Sequence, residues 1–439
     1  MTATRPVSGW ARVKPVVQVG SGNFLEMYDF FVFAYYAAAI GRAYFPSGDE
    51  VAGLLLSLAT FGVGFLMRPV GAFVLGAYID HHGRRAGLLL TLSLMSLGTL
   101  SVALTPDYSW VGLVAPVVVV LGRLVQGFSA GAELGGVSVY LSEIATPGHK
   151  GFYVAWQSAS QQIAVIFAAL LGVALQNGLS AEQMNRWGWR LPLLIGCLIV
   201  PFIFVLRRSL VETEEFEARE RKTTSLGEVW RVMAANWQIV LIGMMLVIMT
   251  TVSFYLITAY TPTFGRETLK LSALSTLVVT LCVGISNLIW LPLSGAVSDR
   301  IGRRPLMIGC TVLALLTAYP AMTWLAAAPS FERLLLVELW LSFIYGVYNG
   351  AMVVHLTEIM PPVVKSAGFS MAYSLATTLG GFTPFICTYL IKITDNKAMP
   401  GLWLSFAALV GLAAVLLERR YATRADPLRS GLMSQPASL

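Results

Sequence analysis

Charged side chains are scarce in this sequence, making up 12% of its 439 residues, against about 25% in an ordinary soluble protein. A chain so poor in charge cannot cover a water-facing surface, which argues against a soluble globule. Cysteine is as sparse: Cys197, Cys282, Cys310 and Cys387 all fall inside apolar runs, without the Cys-x-x-Cys or Cys/His spacing of a metal site or disulfide framework. They read as small packing residues. The phosphate-cradling Gly-(x)4-Gly-Lys-Ser/Thr loop is missing, which argues against ATP-driven transport within this chain. Neither a sizeable soluble domain nor a nucleophile beside a base is evident, so a membrane enzyme or a non-transporting sensor is disfavoured.

What is abundant is hydrocarbon. Hydrophobic residues account for 56% of the chain, and mean hydropathy is +0.71. Apolar runs of about 20 residues recur along the whole length, each long enough to cross roughly 30 Å of bilayer. The pattern predicts helices near 16–42, 51–79, 86–105, 110–141, 151–176, 189–207, 237–264, 273–297, 305–328, 332–357, 366–393 and 400–418. Residues 1–207 thus form one six-helix half, 208–236 a hydrophilic linker rich in Glu, Arg and Lys, and 237–439 a second half with a tail. The opening stretch from Met1 to Lys14 is short and basic and reads as the approach to the first helix rather than a signal peptide.

The formal +7 charge is spread through short loops rather than gathered on one face, which argues against a nucleic-acid partner. Assigning alternate loops to opposite sides puts about 20 Lys/Arg on the side of both termini and the linker, against about 8 on the other; the positive-inside rule makes that richer side cytoplasmic.

The two halves are repeats. Gly76-Ala-Tyr-Ile-Asp80-His-His-Gly83-Arg84-Arg85 follows the second helix, and Gly295-Ala-Val-Ser-Asp299-Arg-Ile-Gly302-Arg303-Arg304 follows the eighth. Gly127-(x)3-Gly131 matches Gly346-(x)3-Gly350, and Lys150 matches Lys365. Repeated transporter halves place a substrate site near the midplane between them. The doubled loop resembles the signature of the major facilitator superfamily. The resemblance implies an all-α membrane protein with twelve transmembrane helices in two pseudo-symmetric six-helix bundles. Topology alone accounts for Arg84, Arg85, Arg303 and Arg304, but not for Asp80, Asp299 or the glycines. Charge-assisted bonds from these carboxylates make the six residues candidates for a cytoplasmic gate.

Ionisable groups inside a bilayer are costly and therefore functional candidates. Glu26, Asp29 and Tyr36 recur on one face of the first helix, and Arg123, Gln126 and Glu133 on one face of the fourth. Asp29 and Glu26 are the expected partners of Arg123, with Glu133 deeper. A static ion pair would only fix packing; a proton switch would let an anionic substrate change the carboxylate's proton affinity, with Asp29 the first choice and Glu26 the second. The Arg123 guanidinium suits a carboxylate and would favour an anion. Gln157 and Gln161 on the fifth helix, Tyr255 on the seventh, Asn287 on the eighth, and Glu338, Tyr345, Tyr348 and Asn349 on the tenth add polar groups. From this set Tyr36, Arg123, Gln157, Gln161, Tyr255, Asn287, Tyr348 and Asn349 are the expected substrate contacts. Arg68 and His355 read as structural or packing residues.

The runs around these positions narrow the likeness. Gly22-Asn-Phe-Leu-Glu26-Met-Tyr-Asp29-Phe-Phe31, Met67-Arg68-Pro69-Val-Gly71, Gly122-Arg123-Leu-Val-Gln126-Gly127, Trp156-Gln157-Ser-Ala-Ser-Gln161-Gln162 and Tyr345-Gly-Val-Tyr348-Asn349-Gly350 resemble the metabolite:proton symporter group, within it the bacterial citrate and tricarballylate transporters. That resemblance implies proton-driven import of a tricarboxylate by alternating access across a bacterial inner membrane. It implies no cofactor beyond the coupling protons, a small organic anion and the lipid bilayer as partners, and a monomeric unit. A dicarboxylate, a shikimate-like acid or a zwitterion such as proline or betaine remains open as cargo.

Overall fold

The computed structural model describes residues 24–82, 84–131, 138, 141–142, 145–208, 231, 234–360 and 365–432. Its described residues are helical almost throughout and order as twelve long helices. Helix α1 covers 24–44 with an interruption at Tyr36; α2 is Glu50–Leu66 continued by Arg68–His82; α3 is Arg84–Leu104, α4 Val114–Ala130, α5 Lys150–Gly178 and α6 Arg190–Arg208. In the second half α7 is Trp237–Thr268, α8 Ala273–Ile301, α9 Arg303–Ala327, α10 Phe331–Ile359, α11 Lys365–Gly381 continued by Thr383–Thr394, and α12 Met399–Leu432. Eight helical stretches among the described residues are long and apolar enough to cross a membrane, and Leu89–Leu104, Val114–Ala130 and Arg190–Pro201 are shorter apolar ones.

Polarity is distributed inside out relative to a soluble protein. Arg68, Arg123, Gln126, Gln162, Asn287, Ser342 and Asn349 are buried, whereas Leu198 is 76% exposed and Leu97, Leu104 and Leu316 also face outward. In lipid this is the low-energy arrangement, because outward leucines meet acyl chains and polar groups must find partners within the protein.

Three helices depart from regular α geometry for local reasons. In α2 the Met67 N–H returns to Gly64 and Phe65, and Pro69, at the second position of the next segment, needs no donor. Helix α7 widens into i→i+5 turns at Tyr255–Tyr260 and Phe264–Thr268 around Pro262, a distortion that recurs at functional sites. Helix α11 breaks at Phe382, before Thr383-Pro384. The α2 and α11 breaks face each other across the halves: Thr378 Oγ1 donates to the Phe65 carbonyl at 3.0 Å. A Cβ at Gly62 would strike the Phe382 ring, and one at Gly381 the Phe65 ring.

The α8–α9 turn needs its glycine, since Gly302 adopts φ +91°, which L side chains rarely tolerate. On the same end, α5 and α8 touch through Gly151 and Gly295, where an added Cβ at Gly295 would lie 2.4 Å from the Gly151 carbonyl oxygen.

Candidate functional site

Four charges lie buried where α1, α2 and α4 meet. Arg68 Nη2 is 2.5 Å from Glu26 Oε1. Arg123 Nη1 is 3.3 Å from Asp29 Oδ2 and donates to Gln126 Oε1 at 2.6 Å. Gln126 completes the triangle, its Nε2 donating to Asp29 Oδ2 at 2.5 Å and to Thr99 Oγ1 at 3.0 Å. Phe30 stands between the two cations: the Arg68 guanidinium carbon is 5.1 Å from its ring centre and that of Arg123 4.3 Å. Phe65 also faces Arg68, and Phe33 and Phe61 face Arg123. Ring faces out of water stabilise a cation by about 2 kcal/mol each.

The helix geometry explains the constellation. Glu26, Asp29, Phe30 and Phe33 succeed one another at spacings of three, one and three, so both carboxylates and the rings share one face of α1. Close glycine contacts bring α2 onto α4: a Cβ at Gly127 would overlap Gly64, and one at Gly131 the Arg68 carbonyl. The two arginines, one on each helix, therefore reach the same stretch of α1.

The sequence reading expected Arg123 to serve both carboxylates. The structure pairs Asp29 with Arg123 and Glu26 with Arg68. Arg68, in the middle of the second helix, reads from the sequence as a structural residue that snorkels or pairs internally; the structure gives it Glu26 as its internal partner. Glu133 lies outside the described residues, as do the side chains of Asp80, Arg84 and Arg85.

A narrow cavity of ≈ 10 Å³ adjoins Arg68 between the halves, room for about one water molecule. Met27, Gln161, Thr250, Tyr255, Tyr345 and Tyr373 are among its walls. Gln161 and Tyr255 are thus brought together with Arg68; Thr250, Tyr373 and Thr377, also on the wall, carried no signal beyond an ordinary hydroxyl in an apolar run. Arg123 Nε and Nη2 carry no hydrogen-bond acceptor.

Other expected contacts are placed differently. Asn287 Nδ2 donates across the halves to Gln162 Oε1 at 3.1 Å, and its Oδ1 accepts from Ser342 at 2.7 Å. Gln157 Oε1 accepts from Ser158. Asn349 Nδ2 donates to the Tyr345 hydroxyl at 3.4 Å. Tyr36 is buried with its hydroxyl near Gly172 of α5. The Tyr348 hydroxyl donates to the Leu246 carbonyl at 2.9 Å, which ties α10 to α7 and turns this side chain away from the cavity walls.

Asp299 follows Asp80 by 219 residues, and Gly346 follows Gly127 by the same interval. That interval carries Arg68 onto Asn287 and Arg123 onto Ser342. The second half therefore repeats the meeting of its second and fourth helices with a neutral hydrogen bond where the first half has two cations.

Both ends of the bundle are fastened. At the Gly-Arg-Arg end, Asp299 Oδ1 accepts from the Gly151 N–H at 2.8 Å and Oδ2 from the Phe152 N–H at 3.2 Å, so the carboxylate caps the positive N-terminus of α5 from the other half. Arg303 lies 2.8 Å from Asp299 and 3.2 Å from Glu358, and Arg304 Nη2 donates to the Val415 carbonyl. On the same side His355, read from the sequence as a packing residue, meets Glu418 at 2.7 Å. At the opposite end Lys392 Nζ is 2.5 Å from Asp49 Oδ2. Among the described residues no cluster of three His, Cys, Asp or Glu side chains could hold a metal ion.

Comparison with known proteins places this arrangement. The chain is 58% identical over 435 residues to the citrate-proton symporter of Klebsiella pneumoniae, covering 98% of each protein. It is 58% identical over 403 residues to the citrate-proton symporter of Salmonella typhi, covering 92% of this chain and 93% of that one. The alpha-ketoglutarate permease of Escherichia coli strain K12 is 31% identical over 412 residues, 93% of this chain and 94% of that protein. Among solved structures, the partially occluded inward-open xylose transporter XylE of E. coli superposes with a TM-score of 0.73 at 18% identity, covering 92% of this chain and 96% of that one, a likeness of fold. Residues 19–383 match the model of the Major Facilitator Superfamily, and the chain belongs to that family of membrane transporters.

Proposed function

We propose that this protein is a proton-coupled symporter that imports citrate, or the closely similar tricarballylate, across the bacterial inner membrane by alternating access. The observation that carries this reading is the double pair around Phe30: two guanidiniums, each held by its own carboxylate, at the edge of a cavity between the halves. The relatives named citrate-proton symporters support the cargo and the coupling ion.

The four charges cancel while both carboxylates are ionised. A tricarboxylate entering beside them brings negative charge into a medium where it is poorly solvated. Arg68 and Arg123 offer planar forks that suit its carboxylates, and each fork that turns to substrate leaves Glu26 or Asp29 uncompensated. Taking up a proton relieves that cost, so anion and proton bind together. Asp29 is the first candidate for this role because Gln126 can hold its oxygen as Arg123 swings away. Glu26 serves the Arg68 fork in the same way. Gln161, Tyr255 and, after rearrangement, Asn287, Gln157, Tyr36 and Asn349 supply donors to the remaining oxygens.

The one-water cavity requires the halves to part before a tricarboxylate can enter, and the two fastened ends supply the alternation. Asp299, Arg303 and Arg304 hold the end we assign to the cytoplasm along with both termini, and the repeated motif makes Asp80, Arg84 and Arg85 candidates for the same gate; Lys392 with Asp49 holds the other. The site is complete within one chain, which supports a monomeric transport unit.

The deciding experiment is uptake of labelled citrate and of tricarballylate by proteoliposomes under an imposed inward proton gradient, with counterflow at equal pH. Accumulation of either acid, abolished by a protonophore while counterflow persists, is expected. Correctly inserted protein that moves neither acid in either format overturns the reading, and inhibition by proline alone would redirect it to a zwitterion.

A further inference from the structure

Glu338 is a carboxylic acid that the double pair around Phe30 does not use. It lies on α10, seven residues from the start of the helix at Phe331 and so about 10 Å along it. That is the end opposite the Gly-Arg-Arg loops, and the side chain is 1% exposed. Among the described residues no cation lies within ion-pair distance, and no charged or titratable side chain of the packed helices α5, α7, α8, α9 or α11 acts on it; its polar neighbour is the Thr261 hydroxyl, in the widened stretch of α7. Its Oε2 has no hydrogen-bond partner. Every other buried carboxylate described above has a cationic or imidazole partner: Glu26 has Arg68, Asp29 has Arg123 and Glu418 has His355, and the partly buried Asp299 has Arg303.

An ionised carboxylate cannot remain in such a place without a cation or several donors. The group is stable there only with its proton on. It can lose that proton only when water reaches it, and the surroundings show what must move for that to happen. One turn further along the same face, Ser342 donates to Asn287, and Asn287 donates across the halves to Gln162 of α5. Adjacent Gln161 lines the central cavity. Parting α5 from α8 at the Gln162–Asn287 bond opens a polar seam from the cavity edge toward Glu338, beside turns of α7 that are already wide.

We propose that Glu338 is a second proton-binding site of the transport cycle, protonated in this closed form, taking its proton from water when the end opposite the Gly-Arg-Arg loops opens and releasing it when the Gly-Arg-Arg end opens. The inference rests on the proton-symport reading above and adds a carrier in the second half, where the repeat has lost its cations. The step is a simple ionisation with its two halves on opposite sides: the carboxylate takes a proton from water when the end opposite the Gly-Arg-Arg loops opens, forming the O–H bond, and when α5 parts from α8 that bond breaks and the proton passes to water in the seam on the Gly-Arg-Arg side. Thr261 is a positioning residue: its hydroxyl donates to the Ile257 carbonyl at 2.9 Å, which leaves its oxygen to accept from the protonated Glu338.

The test measures protons moved per citrate in proteoliposomes, from the membrane potential at which net citrate flux reverses, for the wild type and Glu338→Gln. The glutamine keeps shape and hydrogen bonding but cannot ionise. Counterflow within about twofold of wild type, with the ratio lower by about one proton, is expected. An unchanged ratio overturns the assignment of Glu338. A wild-type protein that moves citrate with no protons overturns the underlying symport reading, so the two failures are distinct. Should Glu338→Gln fail to insert, infrared difference spectra of wild type and Glu338→Asp across pH decide the matter. A protonated-carboxyl band that bleaches on alkalinisation and shifts in the aspartate variant supports the site, and identical spectra exclude it.

Discussion

The Asp299 carboxylate accepts a hydrogen bond from the Gly151 backbone N–H at 2.8 Å, a contact between the last turn of α8 and the first turn of α5 in the other half. The acceptor is charged, the donor belongs to a helix N-terminus, and Arg303 holds the carboxylate in place. A charge-assisted bond of this kind contributes about 1.5–3 kcal/mol. Asp299→Asn is expected to shift the resting population by about tenfold toward the form open at the Gly-Arg-Arg end, read as faster labelling of cysteines placed on α5 and α8 below the contact. Unchanged labelling would show that the carboxylate does not hold this end.

Gly295 points the same way by sterics rather than charge. A Cβ there would lie 2.4 Å from the Gly151 carbonyl oxygen, and the obstruction is backbone that cannot swing aside. Gly295→Val should prevent closure at the same end, with net uptake reduced at least about tenfold while the protein still inserts; such overpacking typically costs about 1–3 kcal/mol. Uptake equal to wild type would refute the close-packing argument.

Lysine at either buried arginine retains charge and loses the fork. Arg123→Lys and Arg68→Lys are each expected to raise the apparent citrate KM by about ten- to a hundredfold, since a lost hydrogen bond to a charged group costs about 1.5–3 kcal/mol. If Arg68→Lys leaves KM and counterflow untouched, Arg68 is only a packing partner of Glu26.

At the other end the Lys392 hydrogen bond, with the Val51 N–H, holds the Asp49 carboxyl below the usual carboxylate range. A depressed carboxylate keeps its contribution above its ordinary pKa of about 3.9 and loses it only as pH falls through the lowered value. The fastening is therefore intact across pH 5–8, and transport changes in that range originate elsewhere. Lys392→Ala should alter uptake rate by less than about threefold and leave the pH profile in place, because exposed pairs contribute little. A displaced profile would disprove this.

How far the sequence reveals the site follows from what periodicity encodes. Spacings of three and four put Glu26, Asp29 and Phe33 on one face of α1, and the doubled Asp-(x)2-Gly-Arg-Arg loop pointed to the family. Neither states which neighbour a side chain meets across helices. Pairing Glu26 with Arg68 depends on the α2–α4 approach through Gly64, Gly127 and Gly131, a three-dimensional fact. The turn of Tyr348 toward Leu246 is set by rotamer and crossing angle, which one sequence does not show. Glu418, about five turns into a helix whose end reads as a tail, gave no hint of His355.

Phe30 touches both guanidiniums at once, and that shared ring makes the two cation sites one mechanical unit. A carboxylate that draws Arg123 off one face of the ring changes the packing against Arg68 on the same side chain. Occupancy of one fork is thereby felt at the other without either arginine touching its twin. A cargo with three acid groups can bridge the ring, whereas a monocarboxylate would move one fork and leave the other closed over its glutamate or aspartate.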